Sequence, residues 1–455
     1  MLGIYVPMSE IHKKEELEEL FHTWGKPRDQ WRVGTEYEKI GIDRSSGKAI
    51  PYSGKRGVEA ILKSLVERFG WEPKEEDGHV TALKGEKAEI HLEPGGQIEL
   101  SGEPCESIHC SFAEFDQHAR ELLEVAEELD VTFLGLGIQP VSRMEEIEWV
   151  PKRRYRIMGP YMGKVGTMGQ RMMKQTATVQ ANIDYSDEKD AMAKFRTGMG
   201  ISPLITAIFA NSPISEGVLN GYKSFRGHIW TLTDRDRCGL LPFAFFPEVT
   251  FGHFVEYALD VPMYFIMRDG DYIDFTGIPF RHYLTHGHKG YQALQEDWEL
   301  HLTTLFPEVR IKPYMEVRSA DSQSPELMPA LSALIKGIFY ESDCLDAAWD
   351  LVKPWTWDER MQLYHDSHSD ALGAHIRRYS LLDLCKELFH IAWEGLKRQR
   401  SLNSKGEDET IYLQPLQDLL VNLGKCPADL LEEQWDGERK QGFNKLIDYS
   451  AYKLP

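Results

Sequence analysis

His91-Leu92-Glu93-Pro94-Gly95-Gly96-Gln97-Ile98-Glu99-Leu100-Ser101-Gly102 reads as a β-hairpin. Pro presets φ and Gly tolerates positive φ, so Pro94-Gly95-Gly96 makes a tight turn. His91 and Glu93 before it, and Gln97 and Glu99 after it, alternate with Leu92, Ile98 and Leu100. Period-two alternation puts the polar residues of each strand on one face. The hairpin thus presents two carboxylates to one place.

A second stretch, Gly34-Thr35-Glu36-Tyr37-Glu38-Lys39, sets Glu36 and Glu38 side by side on a strand. On solvated sheet edges such carboxylates need no partner. Gathered in a cleft they repel, and burial adds a desolvation cost, so a stable cluster requires cations. Hard oxygen donors with few thiols select magnesium, with manganese as the alternative.

Thr176 to Asp184 is a third alternating strand: Thr178, Gln180, Asn182 and Asp184 share one face. It is either a ligand-orienting wall or a strand with one face in water. Tyr314-Met315-Glu316-Val317-Arg318 is a further acidic strand. Glu316 and Arg318 share a face, as a plain salt bridge or as a metal ligand beside a substrate-binding guanidinium. Pro151-Lys152-Arg153-Arg154-Tyr155-Arg156 is a basic segment in an acidic chain, read as an irregular loop suited to gripping an anion.

Helical spacing marks 10–24, Val58 to Phe69, Ser107 to Leu129 and Lys189 to Ala210, and the chain from Leu327 onward is helical almost to its end. A strand-rich, acidic front and a helical rear make the fold α+β. We expect a catalytic antiparallel-sheet domain over 1–345 and a helical region over 346–455 packed on it.

The 455 residues are enough for one large domain or two to three ordinary ones. A net charge of −20 argues against a nucleic-acid or anionic-membrane partner. The first twenty residues lack the apolar core of a signal peptide. Six cysteines without a CxxC pair fit a reducing compartment, so the expected location is the cytoplasm. Cys105 and Cys110 are near enough in sequence to pair, although nothing requires it.

Taken together, the Gly34–Lys39 block, the Glu93–Gly102 hairpin and Thr176–Asp184 resemble the plant-type glutamate–cysteine ligases, which also occur in bacteria. The likeness continues through Phe209-Ala210-Asn211-Ser212-Pro213, Arg226-Gly227-His228-Ile229-Trp230, the segment from Tyr257 to Tyr264 and Phe306-Pro307-Glu308-Val309-Arg310. It implies a glutamine-synthetase-like curved antiparallel sheet with surrounding helices around an ATP and magnesium site. Glutamate, cysteine and ATP are then the substrates, and γ-glutamyl phosphate is the intermediate of this first step of glutathione biosynthesis.

By that resemblance Glu36, Glu38, Glu93, Glu99 and Glu316 are the metal ligands. Gln180 and Asn182 line the substrate and nucleotide site, Arg154 and Arg226 hold substrate carboxylates, and Arg318 assists the phosphates. Arg226 and Arg318 are the catalytic pair. Arg153 and Arg156 compete with Arg154 for its role. Trp230 and Tyr264 wall the cysteine pocket; the resemblance identifies no base for the amine, for which Asp234, water and a phosphate oxygen are the alternatives. Phe112 stands where a plant cysteine is expected, so thiol control is not carried over. Two rivals remain: a γ-glutamyl ligase for another amine, and a non-enzymatic metal-binding scaffold. The oligomeric state is not legible.

Overall fold

The computed structural model describes residues 10–435 and 439–453. Nine strands form one antiparallel, open sheet: β1 (Val33–Asp43), β2 (Glu72–Glu76), β3 (His79–Lys84), β4 (Glu89–Leu92), β5 (Ile98–Ser101), β6 (Val131–Leu134), β7 (Thr178–Ile183), β8 (Val309–Ile311) and β9 (Met315–Asp321). Their spatial order is β8-β9-β7-β1-β5-β4-β3-β2, and β6 pairs with the far half of β1. The central strand β1 is flanked by β5 and β7, so sequence-distant hairpins meet on either side of it.

The helices that matter here are α1 (Val58–Phe69), α2 (Ile108–Glu128), α3 (Arg153–Val165), α4 (Gly169–Gln175), α5 (Glu188–Ile208), α6 (Phe225–Thr231), α7 (Met328–Phe339) and α8 (Leu381–Gln399). Helix α1 ends where the sequence says it should, on Gly70 in the left-handed region at φ 76°. Helix α3 corrects the reading of the basic run as irregular: Arg153 is its first residue, because Tyr155, Met158 and Met162 recur at helical spacing and bury one face.

Strand β1 shows how the sheet separates chemistry from support. Glu36 and Glu38 face one side. Thr35, Tyr37 and Lys39 face the other, beneath α2 and α7: the Tyr37 ring lies 4.7 Å from Phe115, and Thr35 Oγ1 is 2.6 Å from Ser332 Oγ. Behind α7, α8 comes unusually close. A Cβ on Gly337 would strike the Ala392 carbonyl, and one on Gly395 would strike that of Gly337. No helix among the described residues is long and apolar enough to cross a membrane.

A buried ion pair ties these layers together. Lys336 Nζ lies 2.6 and 2.7 Å from the two carboxylate oxygens of Glu409, one of which also accepts the Ile108 N–H at the start of α2. Removing the ammonium strands a buried charge, whereas Coulomb attraction within the pair only offsets its desolvation. Lys336→Met is expected to destabilise the protein by about 3–5 kcal/mol, read as a lowered urea midpoint. A midpoint equal to wild type would show that the pair does not anchor α2 to α7.

Candidate active site

The polar face of the sheet floors a cavity of about 310 Å³. Strand register brings its acids together. Glu38 pairs with Glu99, Glu99 with His91, Glu36 with Gln180, and Glu316 with Asn182. Like charges directly opposite one another weaken a sheet, so this register has a cost that something else must offset.

The hairpin turn is held from outside. Gly95 packs against the carbonyl of Lys174 so closely that a Cβ would collide with it, and Gly96 sits at φ 85°. The Gln97 amide donates to the carbonyls of Met173 and Thr176 at 3.3 and 2.7 Å, while its oxygen accepts from Gly95 N–H at 2.9 Å. Gln97 thereby fixes the turn that carries Glu93 onto the end of α4.

Glu36 is clamped by two amides. Gln180 donates to one oxygen at 2.9 Å and Asn182 to the other at 3.1 Å, and the Gln180 carbonyl accepts from Arg318 at 2.6 Å. Glu38 accepts the Thr178 N–H at 2.9 Å, and Glu99 accepts the Ser101 hydroxyl at 2.5 Å. Burial, reinforced by Glu316 and Glu99, raises the Glu36 carboxyl to about 7. Burial with Glu93 and Glu99 raises Glu38 well above the usual range, and burial with Glu93 raises Glu99.

The sequence-predicted residues separate into three groups. Glu36, Glu38, Glu93, Glu99, Gln180, Arg154, Arg226, Arg318 and Trp230 line the cavity. Asn182 and Glu316 stand behind that lining. Glu316 is fully buried and held by Arg310 at 2.6 and 2.9 Å, Arg318 at 3.2 Å and Lys312 at 3.5 Å. Burial acts to raise its pKa, but Arg310, Lys312 and Arg318 outweigh it and hold the carboxyl low. The salt-bridge account of Glu316 is the one the structure displays.

Tyr264 departs from its expected place. It is buried beneath the Arg237 guanidinium, 4.1 Å from the ring centroid, with its hydroxyl on Met162 sulfur, and its neighbour Phe265 reaches the cavity instead. Asp234 is not free to act as a base, since it is buried against Arg237 at 2.6 Å. Asp184, the last member of the polar face of β7, turns away to Lys26 at 2.6 Å. The basic run is resolved as well: Arg153 pairs with Asp77 and Asp271, Arg156 pairs with Asp77, and Arg154 faces inward.

Two cavity cations escaped the sequence reading, Lys152 and Arg310. Lys152 belonged to the basic run but was passed over in favour of its arginines. Arg310 had no signal beyond its block. Arg226 is positioned by a cluster seated on Asp321, whose carboxylate accepts from Asn211 N–H, Ser212 Oγ and Ser224 Oγ at 2.7 to 2.9 Å. Ser212 Oγ in turn accepts the Arg226 N–H at 3.1 Å, and the guanidinium donates to the Arg318 carbonyl at 3.1 Å.

The family model for glutamate-cysteine ligase family 2 matches residues 32–445. The chain belongs to that family. It is 41% identical over 451 residues to glutamate–cysteine ligase B, chloroplastic, of Oryza sativa subsp. japonica, a match covering 97% of this chain and 88% of the relative. With the chloroplastic glutamate–cysteine ligase of Brassica juncea the identity is 42% over 430 residues, covering 94% and 82%. A crystal structure of the Francisella tularensis glutamate–cysteine ligase in complex with AMP shares the fold at a TM-score of 0.55 and 14% identity, covering 92% and 87%. This family member is therefore a ligase of glutamine-synthetase-like fold. The plant relatives are chloroplastic, which overturns the cytoplasmic expectation. The reducing-compartment argument weakens from the structure too, for Cys105 and Cys110 form a disulfide.

Two outcomes test the site. Gln180→Leu removes one of the two amides that clamp Glu36 and the link from it to Arg318. If the acids hold the divalent cation expected from the sequence, its binding should weaken by roughly 10–100-fold with the fold intact, measured by calorimetric titration of manganese. The pH dependence of stability has a definite sign. A carboxyl raised from 4.5 to about 7 keeps its proton more tightly in the folded chain, so its stabilising contribution is whole below pH 4.5 and lost as pH rises through about 7. Thermal melts of metal-free protein should show the midpoint falling across that window, and Glu36→Gln should flatten the fall. An unchanged slope in the variant would remove Glu36 from the account.

Proposed function

We propose that this enzyme joins the γ-carboxylate of glutamate to the amine of cysteine, with ATP converted to ADP and phosphate, as the first step of glutathione biosynthesis. The observation that carries the reading is one cavity with four carboxylates on its floor, Glu38 and Glu99 buried and Glu36 and Glu93 half-buried, and arginines on its wall.

The donor set fits a hard divalent cation: four carboxylate side chains line one place, and Glu36, Glu38 and Glu99, raised by burial and mutual repulsion, gain most from a cation that relieves both. Glu36, Glu38, Glu93 and Glu99 would hold magnesium, or manganese in its place, with Glu316 kept back as the counter-charge of Arg310. Bound there, the metal supplies charge neutralisation for the phosphate oxygens.

A carboxylate is a poor acyl donor, so one of its γ-oxygens first attacks the terminal phosphorus of ATP, and ADP departs with the bridging oxygen. Positioning and charge are what such a transfer asks of a protein, and no covalent nucleophile is needed. Arg318 and Arg310 face the phosphates, with Arg318 oriented by Gln180 and by Glu316. Arg226 and Arg154 take substrate carboxylates. The cysteine amine then attacks the acyl carbon, the carbon–oxygen bond to phosphate breaks, and a phosphate oxygen takes the amine proton. Met158, Met172, Met173, Phe265 and Leu300 close the apolar side of the cavity, where water would otherwise hydrolyse the acyl phosphate.

That apolar wall also supports a second reading, a γ-glutamyl ligase for a different small amine. Methionines repack readily, and a small side chain is discriminated by only ~1–3 kcal/mol in such a pocket.

The test is ADP release. It is expected only when glutamate and cysteine are both present, and to fall by at least about a hundredfold in Glu93→Gln, the range expected for losing a transition-state charge contact, with circular dichroism unchanged. A panel of amines in place of cysteine decides between the acceptors. Release that ignores glutamate, or survives in Glu93→Gln, would sink the ligase reading.

A further inference from the structure

The cations of the cavity are not equivalent. Arg310 and Arg318 are matched by Glu316, and Arg153 and Arg156 by surface acids. Lys152 is different. It is buried, and its ammonium makes one hydrogen bond, to the Leu92 carbonyl at 2.9 Å, with no ion pair among the described residues. An ammonium carries three donors, so two remain unspent, and they belong to a side chain that lines the cavity. A buried charge without a counter-ion is costly to the fold, and a bound anion removes that cost.

Pinning the hairpin does not by itself account for this lysine. The Tyr155 hydroxyl already donates to the same Leu92 carbonyl at 2.9 Å. The location says which anion is meant. Leu92 precedes Glu93, so the ammonium sits at the metal-binding end of the hairpin, within the field of Glu93 and Glu99. Two residues on, Arg154 is also unmatched: its Nε is buried and unbonded, and its guanidinium lies 5.2 Å from the Tyr155 ring. Glutamate offers two carboxylates. A planar fork suits the one that stays a carboxylate, and a point charge suits the one whose geometry changes on phosphorylation.

We propose that Lys152 contacts the donor substrate, its ammonium holding the γ-carboxylate of glutamate beside the Glu93–Glu99 hairpin while the cavity guanidiniums take the α-carboxylate. As phosphate is added, negative charge beside the ammonium grows, so the contact strengthens from ground state towards transition state. This assignment rests on the ligase reading above.

The experiment is calorimetric binding of glutamate, of glutamine as its neutral isostere, and of ADP with magnesium, to wild type, Lys152→Met and Lys152→Gln. Both variants are expected to bind glutamate on the order of 10–100-fold more weakly, the range for losing a charged hydrogen bond. Glutamine and magnesium–ADP should bind as in wild type, so the preference for glutamate over glutamine collapses. Equal losses for glutamate and glutamine, or loss of nucleotide binding, would mean that Lys152 only braces the hairpin, and undiminished glutamate binding would likewise overturn the proposal. Wild-type ADP release separates the two readings. If it depends on glutamate and cysteine while the Lys152 variants keep the glutamate preference, the lysine assignment alone fails; if it ignores them, the ligase reading fails first.

Discussion

Repulsion among carboxylates on β1, β5 and the turn that joins β4 to β5 is the constraint to which everything else answers. Glu38 faces Glu99 across one strand pair, with Glu36 beside them and Glu93 at the turn. In water such a group would spread apart. Here it cannot, because the opposite face of the same strands is locked under α2 and α7: moving Glu36 would move Thr35 and Tyr37, which are packed on Ser332 and Phe115. A strand reverses every side chain if it slips by one residue, so the register that buries the core also fixes the acids. Hydrophobic packing on one side therefore holds an electrostatic debt on the other.

The cations are arranged to contain that repulsion without cancelling it. Glu316 takes Arg310 bidentately, and the remaining reach of Arg318 goes to Gln180 and so to Glu36. An amide relay of this kind orients a carboxylate while leaving its charge available, which an arginine in direct contact would not. Lys152 and Arg154 also line the cavity and feel the charge of Glu93 and Glu99, but neither makes an ion pair among the described residues.

How much of this the sequence discloses depends on whether a residue's role is local. The hairpin at Pro94-Gly95-Gly96 and the alternation of β1 and β7 are properties of consecutive residues, and they are legible. Glu316 is legible only in part: its two-residue spacing to Arg318 gives one ion pair, while Arg310 arrives from the adjacent strand of a hairpin and has no local signal. Tyr264 is expected at the pocket by resemblance alone, which does not decide which of two neighbouring aromatics faces inward, and Phe265 is the one that does. Arg226 lies in a recognisable block, yet its aim is set by Asp321, nearly a hundred residues later. The disulfide between Cys105 and Cys110 sits where Cys105 pairs with Val33 at the head of β1, a proximity that only the fold creates.

On the ligase reading proposed above, charge accounting gives a reason for metal and nucleotide to enter this cavity together. Fully ionised, the four lining carboxylates and Glu316 behind them are met by the five lining cations Lys152, Arg154, Arg226, Arg310 and Arg318. A triphosphate entering alone would add several negative charges to a balanced site of low dielectric. Divalent cations entering alone would face the five arginine and lysine charges. Only the pair keeps the balance, and each then lowers the cost of admitting the other. Raised carboxyl pKa values express the same balance from the proton's side: without a metal, protons do part of the neutralising. On that reading the sheet supplies a site whose charge balance survives only the joint entry of metal and nucleotide.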